Sequence, residues 1–156
     1  MKTWRLITAA LLLASTTALP LFATANMGDD EPGPTPNADA TAGKKAIEAK
    51  DWNSAIKSLN AAAQRDSRNA DIQNLLGYAY RNAGQLDPAF KHYERALQLD
   101  PRHRGAHEYI GEAYLMVNNL AKAEEHLAAL QKICLRVCEE RDDLMKSIER
   151  YRAARK

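Results

Sequence analysis

The sequence predicts an all-α array of helical hairpins, and three observations support this fold class. Gly43, Gly77 and Gly111 lie 34 residues apart. Other small and large apolar positions keep the same interval, namely Ala55, Ala89 and Ala123, and Leu59, Tyr93 and Leu127. Within a unit, apolar residues also recur at helical spacing. A constant period of this length is typical of a repeated supersecondary unit, and such arrays form extended binding surfaces.

The middle copy carries the most complete pattern. It reads Leu76-Gly77-x-x-Tyr80, then Ala89-x-x-x-Tyr93, then Ala96 and Asp100-Pro101. This pattern resembles the tetratricopeptide repeat (TPR), in which small residues let two helices approach and a proline closes the unit. The resemblance implies a right-handed TPR superhelix of helix-turn-helix repeats.

The register divides the predicted TPR domain, residues 37–153, into three repeats and a final helix. The repeats span about 36–69, 70–103 and 104–137. In the remaining segment, about 138–153, Leu144, Ile148 and Tyr151 recur at helical spacing while the other positions are mostly charged. We therefore expect a C-terminal capping helix that covers the last repeat with one apolar face.

Polar residues mark where the second helix of each unit begins. Asn53 or Ser54 is expected to cap the helix of the first copy. Asp87 followed by Pro88 is expected to open its counterpart in the second copy. Asn118 and Asn119 supply the corresponding turn in the third.

Residues 1–25 have the features of a secretory signal peptide. Two basic residues, Lys2 and Arg5, precede an apolar run, and Ala23-Thr24-Ala25 offers small residues for cleavage. A membrane anchor is the alternative, but polar residues and a proline interrupt the run, which is marginal for spanning. We expect cleavage after Ala25, a periplasmic or secreted protein, and no stable membrane anchor after cleavage.

Residues 26–36 are expected to form a flexible linker. The segment combines acidic residues, glycine and three prolines, which cannot bury apolar area. A polyproline recognition motif is the less favoured alternative.

The charge balance bears on the partner. Without Lys2 and Arg5, the 22 basic residues fall to the number of acidic ones, which is 20. Nucleic acids and anionic membranes are bound through a basic excess or stripe. The near-neutral balance therefore argues against both.

The resemblance implies a groove lined by the first helix of each repeat, which would bind a peptide or partner protein. By position, the lining residues are Lys44, Ile47 and Glu48, then Asn74, Tyr78, Arg81 and Asn82, then Glu108, Glu112, Leu115 and Met116. Mixed apolar, amide and charged groups suit an extended or helical segment. Some TPR proteins hold a C-terminal carboxylate in a basic clamp, but here Ala40 and Leu75 beside Lys44 cannot donate.

Cys134 and Cys138 form a C-x-x-x-C pair and are the only cysteines. In an exported chain this spacing favours a disulfide, and the register places it across the turn before the capping helix. Because the loop is very short, the bond would stabilise the fold by only about 1–2 kcal/mol. Binding of a soft metal and a redox-active pair are the alternatives.

No catalytic constellation emerges from the sequence. It has no glycine-rich phosphate loop, nucleophile elbow or H-E-x-x-H motif, and its four histidines are scattered and expected to be solvated. We expect a non-enzymatic scaffold with no cofactor and no metal. The alternative is a redox or copper-handling accessory protein that uses Cys134 and Cys138.

Overall fold

A computed structural model of the chain describes residues 37–155. The predicted signal peptide, 1–25, and linker, 26–36, lie outside these residues. The described part contains helices and no strand, which confirms the all-α prediction. The helices are α1 (Ala38–Glu48), α2 (Trp52–Arg65), α3 (Ala70–Asn82), α4 (Leu86–Leu99), α5 (Arg104–Met116), α6 (Leu120–Ile133) and α7 (Glu139–Ala153). None of them is long and apolar enough to cross a membrane.

The helices pair into three antiparallel hairpins, α1–α2, α3–α4 and α5–α6, followed by α7. The second helices begin 34 residues apart, at Trp52, Leu86 and Leu120. The step from the start of α5 at Arg104 to the start of α7 at Glu139 is 35 residues. The capping helix is therefore displaced by one residue from the period that the hairpins keep.

The turn inside each hairpin has one residue in the left-handed region, and these residues also keep the period. They are Lys50, Gly84 and Asn118, with φ of 56°, 76° and 60°. Only the middle hairpin has glycine there, the residue that adopts this conformation without a steric cost. The other two turns accept a side chain in a less favourable backbone conformation.

Two of the predicted helix caps are wrong. Asp51, and not Asn53 or Ser54, caps α2, because its side chain accepts a hydrogen bond from the Ser54 amide at 3.1 Å. Helix α4 begins at Leu86, before Asp87-Pro88, and its N-cap residue makes no side-chain cap bond. Proline is tolerated at Pro88 because the amides of the first helical turn have no partner within the helix.

The repeated glycines lie where a large side chain crosses the helix. In the first two hairpins this side chain comes from the second helix of the same hairpin, at Leu59 and Tyr93. In the third, it comes from the capping helix, because a Cβ on Gly111 would lie 2.7 Å from Cδ2 of Leu144. Leu127, which occupies the equivalent position in α6, is only half-buried.

The capping helix is held by apolar packing and by a disulfide. Leu144 and Ile148 are buried in one cluster with Leu130 of α6. Cys134 is the C-cap residue of α6, Cys138 is the N-cap residue of α7, and a disulfide joins them. Both cysteines are themselves buried. The bond therefore crosses the turn between the third hairpin and its cap.

Candidate functional site

The first helices of the hairpins form one continuous face. Helices α1, α3, α5 and α7 contact one another in succession, whereas within the described residues α2, α4 and α6 have no such mutual contacts. A row of helices that touch on one side and diverge on the other is curved, with the touching side inward. We call the face formed by α1, α3, α5 and α7 the inner groove.

Aromatic rings and one arginine form the centre of the inner groove. The rings of Tyr78 in α3 and Tyr109 in α5 lie 5.0 Å apart, and Trp52 lies 6.1 Å from Tyr78. The guanidinium of Arg81 lies 5.4 Å from the centre of each tyrosine ring, within cation–π range. Together with Glu112, we call Tyr78, Arg81 and Tyr109 the Arg81 cluster.

The arginine is fixed by an ion pair that extends to the capping helix. Nη1 of Arg81 donates a hydrogen bond to Oε2 of Glu112, and the Arg81 side chain is only 11% exposed. The other carboxylate oxygen of Glu112 accepts a hydrogen bond from Oγ of Ser147 in α7 at 3.0 Å. Burial alone would lower the pKa of Arg81, but Tyr93 and Glu112 raise it above its usual value. The guanidinium therefore stays charged.

Tyr93 of α4 lies beneath this cluster. It is completely buried, and its hydroxyl has no hydrogen-bond partner among the described residues. Burial raises its pKa, and the charged or titratable groups that act on it are those of the Arg81 cluster. Burial, followed by Glu108, raises the pKa of Tyr109 to about 12. Both tyrosines are neutral at physiological pH.

Glu108 is the most perturbed carboxyl group of the inner groove. Burial, followed by the nearby Glu112, Asp143 and Glu140, raises its pKa to about 8, while Arg81 acts in the opposite direction. The Glu108 side chain makes no hydrogen bond or ion pair within the described residues. It is half-buried and therefore reachable from the groove.

Only part of the predicted groove lining comes together. Tyr78, Arg81 and Glu112 are in contact, and Glu108 lies within electrostatic range of them. Asn74, predicted to contact a partner, is instead 7% exposed, and its Oδ1 is buried without a hydrogen-bond partner. It is buried because its amide packs against α5 at Gly105, where the absent side chain leaves room.

The remaining predicted residues lie elsewhere along the helices. Lys44 lines a separate cavity of about 250 Å³ between α1 and α3. Ile47 and Leu115 are half-buried and pack on the cores of their own hairpins. Three residues are exposed at helix ends, namely Glu48, Asn82 and Met116.

Groove residues of α5 and α7 were not among those predicted from the sequence. Tyr109 follows the predicted Glu108 directly, and its equivalent in the second repeat is Leu75, so the register gave no aromatic signal. Asp143 and Ser147 were missed because α7 was treated only as a cap. The 34-residue register would have placed α7 one residue out of phase with its real position.

Between α5 and α6 two histidines pair, which the sequence did not predict. Nδ1 of His107 and Nδ1 of His126 lie 2.9 Å apart, and Nε2 of His107 lies 3.1 Å from the Pro101 carbonyl. Burial, followed by His107, lowers the pKa of His126 to about 4. The expectation of solvated histidines is therefore wrong for this pair, which is neutral and structural.

Comparison with protein families agrees with the repeat register. A family model described as Tetratricopeptide repeat matches residues 70–103, and a second with the same description matches residues 89–134. Over 75 residues the chain is 31% identical to Protein O-mannosyl-transferase TMTC3 of Homo sapiens. That match covers 48% of this chain but only 8% of the transferase.

Solved structures extend the likeness to most of the described residues. The chain is similar to the TPR2B domain of yeast Sti1, solved in complex with pHsp70, with a TM-score of 0.66 at 21% identity, over 72% of this chain and 94% of that one. It is also similar to the Yersinia enterocolitica type III secretion chaperone SycD, solved with a peptide of the translocator YopD. That likeness has a TM-score of 0.67 at 18% identity and covers 76% of this chain and 93% of SycD. The chain therefore contains tetratricopeptide repeats, folded as a right-handed superhelix of three helical hairpins and a capping helix.

Proposed function

We propose that this protein is a non-enzymatic interaction module that binds a peptide segment of a partner protein in the inner groove. The observation that carries this proposal is the Arg81 cluster. It combines aromatic faces, a fixed guanidinium and a half-buried carboxylate on an inner face that no other described helix covers. Tyrosine, tryptophan and arginine are the residues that most often dominate binding energy at protein interfaces.

The geometry favours an elongated ligand. The inner face runs across four helices in succession and presents aromatic and polar groups from Tyr78 to Ser147, and Trp52 of α2 packs against Tyr78. Such a surface suits side-chain anchors spaced along a peptide better than one enclosed small molecule. The similar structures of Sti1 and SycD are described as complexes with pHsp70 and with a YopD peptide, which supports the same use of this fold.

We further propose that the module acts in the periplasm or outside the cell. This rests on the sequence features of residues 1–25 and on the cysteine pair, since disulfides persist in oxidising compartments. Mass spectrometry of the protein recovered from its native cells would test cleavage after Ala25. A retained N-terminus in a cytoplasmic fraction would contradict the proposed location.

The binding function can be tested with a displayed library of random peptides selected on the purified protein. Tyr78→Ala should weaken the selected peptides by about tenfold or more, because it removes the ring that links Trp52, Arg81 and Tyr109. Tyr151→Ala is the matched control, because Tyr151 lies near the end of α7 and stacks with Arg155. If no peptide is selected, or if both variants bind like the wild type, the groove is not the binding site.

The alternative, a redox or copper-handling role, depends on Cys134 and Cys138. These cysteines are buried and joined to each other, and the described residues bring no three metal-ligating side chains together. Counting thiols and bound metal on protein purified under oxidising conditions would separate the two roles. A metal-free disulfide supports the interaction module, whereas bound copper with free thiols supports the alternative.

A further inference from the structure

We propose that Glu108 is the anchor point for a basic side chain, lysine or arginine, of the bound peptide. This inference rests on the proposed function, since it names the chemistry that the inner groove recognises. It assigns the specificity of the groove to its α5–α7 half, where the acidic residues gather.

The acidic residues at the α5–α7 end of the groove differ in their ion pairs. Four carboxylates influence one another at this end of the groove, and three of them have a cation of their own. These pairs are Glu112 with Arg81, Glu140 with Arg104 at 3.4 Å, and Asp143 with Lys146 at 2.9 Å. Glu108 is the one without a cation among the described residues. A ligand that brings a positive charge would therefore complete the set.

The surroundings of the Glu108 carboxyl group disfavour its ionised form. It is half-buried and surrounded by negative charge, so burial and repulsion raise its pKa to about 8. A cation placed beside it would favour the ionised form and offset both effects. A peptide carboxylate in the same place would add to the repulsion instead.

A buried hydroxyl beside the Arg81 cluster lacks a hydrogen-bond partner among the described residues. Tyr93 is completely buried, and its hydroxyl has no partner although it lies near Arg81, Glu112 and Tyr109. Buried polar groups in proteins are usually hydrogen-bonded, and an exception needs an explanation. The hydroxyl can accept a hydrogen bond, so a donor that reached it on binding, after a shift of the side chains that cover it, would satisfy it.

The repeat register shows that the charge at these two positions differs along the groove. The position of Glu108 is held by Ala40 in the first repeat and by the buried Asn74 in the second. The position of Glu112 is held by Lys44 in the first repeat. These two positions are therefore both acidic only in the third repeat, and a peptide with a basic residue at the α5–α7 end has the complementary charge.

The test uses peptides selected from the random library on the wild-type protein. The selected peptides should share a lysine or arginine. Replacing that residue with an uncharged isostere, citrulline for arginine, should weaken binding about tenfold or more. Glu108→Gln should cause a similar loss for the basic peptide and almost none for the isostere. Glu149→Gln, an exposed change elsewhere on α7, should leave both affinities unchanged.

The outcomes separate this inference from the proposed function. Peptides that depend on Tyr78 but share no basic residue, or that bind Glu108→Gln as tightly as wild type, would overturn the basic anchor and leave the binding function standing. Absence of any Tyr78-dependent peptide would overturn both. Unfolding does not confuse the result, because Glu108→Gln relieves repulsion and should be at least as stable as wild type above neutral pH.

Discussion

Gly111 and Leu144 are expected to be strongly coupled, because the side chain of one fills the space left by the other. A Cβ on Gly111 would lie 2.7 and 2.8 Å from the two Cδ atoms of Leu144. Leu144 is completely buried, with Leu130 and Ile148 around it. Gly111→Ala in the wild type must therefore displace a packed side chain. Overpacking of this kind costs about 1–3 kcal/mol, which exceeds the gain of about 1 kcal/mol from better helix propensity.

The same substitution should have the opposite sign once Leu144 is truncated. Leu144→Ala alone should destabilise the protein by about 2–4 kcal/mol, at the lower part of the usual range if the end of the array relaxes into the cavity. In that background the methyl group of Gly111→Ala enters vacated space, and its helix propensity stabilises the protein by about 1 kcal/mol. The coupling energy between the two sites should thus be about 2 kcal/mol or more.

Equilibrium denaturation followed by circular dichroism measures all four free energies of unfolding. Met145→Ala is the matched control, because Met145 is 39% exposed. This substitution should lower the free energy of unfolding by well under half as much as Leu144→Ala does. Hydrogen exchange should show that Leu144→Ala accelerates exchange in residues 139–153 more than in α3 and α4. A Gly111→Ala change that destabilises both backgrounds equally would refute the reasoning, because it would show that the two side chains do not compete for one space.

Three further predictions concern other parts of the chain. Because the folded pKa of Glu108 is raised, its contribution favours folding at acid pH and is lost as pH rises through about 8. Glu108→Gln should remove this loss of stability, which is about 1–2 kcal/mol after reduction by solvent screening of the half-exposed group. Denaturation curves of both proteins at low and high pH measure the difference. Lys50→Gly should stabilise the protein by about 1 kcal/mol because φ is 56° at this residue, whereas Lys45→Gly within α1 should destabilise it by about the same amount. If both substitutions changed the free energy of unfolding in the same direction and by the same amount, the assigned turn would be contradicted. Replacing Cys134 and Cys138 with serine should lower the free energy of unfolding by about 1–2 kcal/mol and speed amide hydrogen exchange in residues 139–152 more than in the second repeat. Unchanged stability with loss of a bound metal or partner would instead favour a functional cysteine pair.

The periodic part of the fold could be predicted from the sequence, because one register repeats the same packing problem. The ends of the hairpin helices recur every 34 residues, as Gly43, Gly77 and Gly111 do. The helix caps were harder to predict, since Asp51 competes with Asn53 and Ser54 and only the backbone geometry decides which side chain reaches a free amide. Local sequence does not contain that geometry.

The candidate site was only partly predictable, for a different reason. The register correctly brought Tyr78, Arg81 and Glu112 together on one face, since they lie on equivalent turns of neighbouring helices. It could not show that Asn74 is covered by α5 or that α7 reaches the groove through Ser147. Both depend on how closely two helices approach, which is set by side chains from several repeats at once.

The hydrogen bond between Ser147 and Glu112 joins two roles in one helix. Helix α7 closes the hydrophobic core and also forms one wall of the groove. The docking of α7 and the binding of a ligand in the groove are therefore thermodynamically coupled. A ligand that touches both α5 and α7 must hold the last helix in place, and by reciprocity anything that loosens this helix must weaken the ligand. Reduction of the Cys134–Cys138 disulfide should then lower the affinity of the inner groove for its ligand, although neither cysteine lies in the groove.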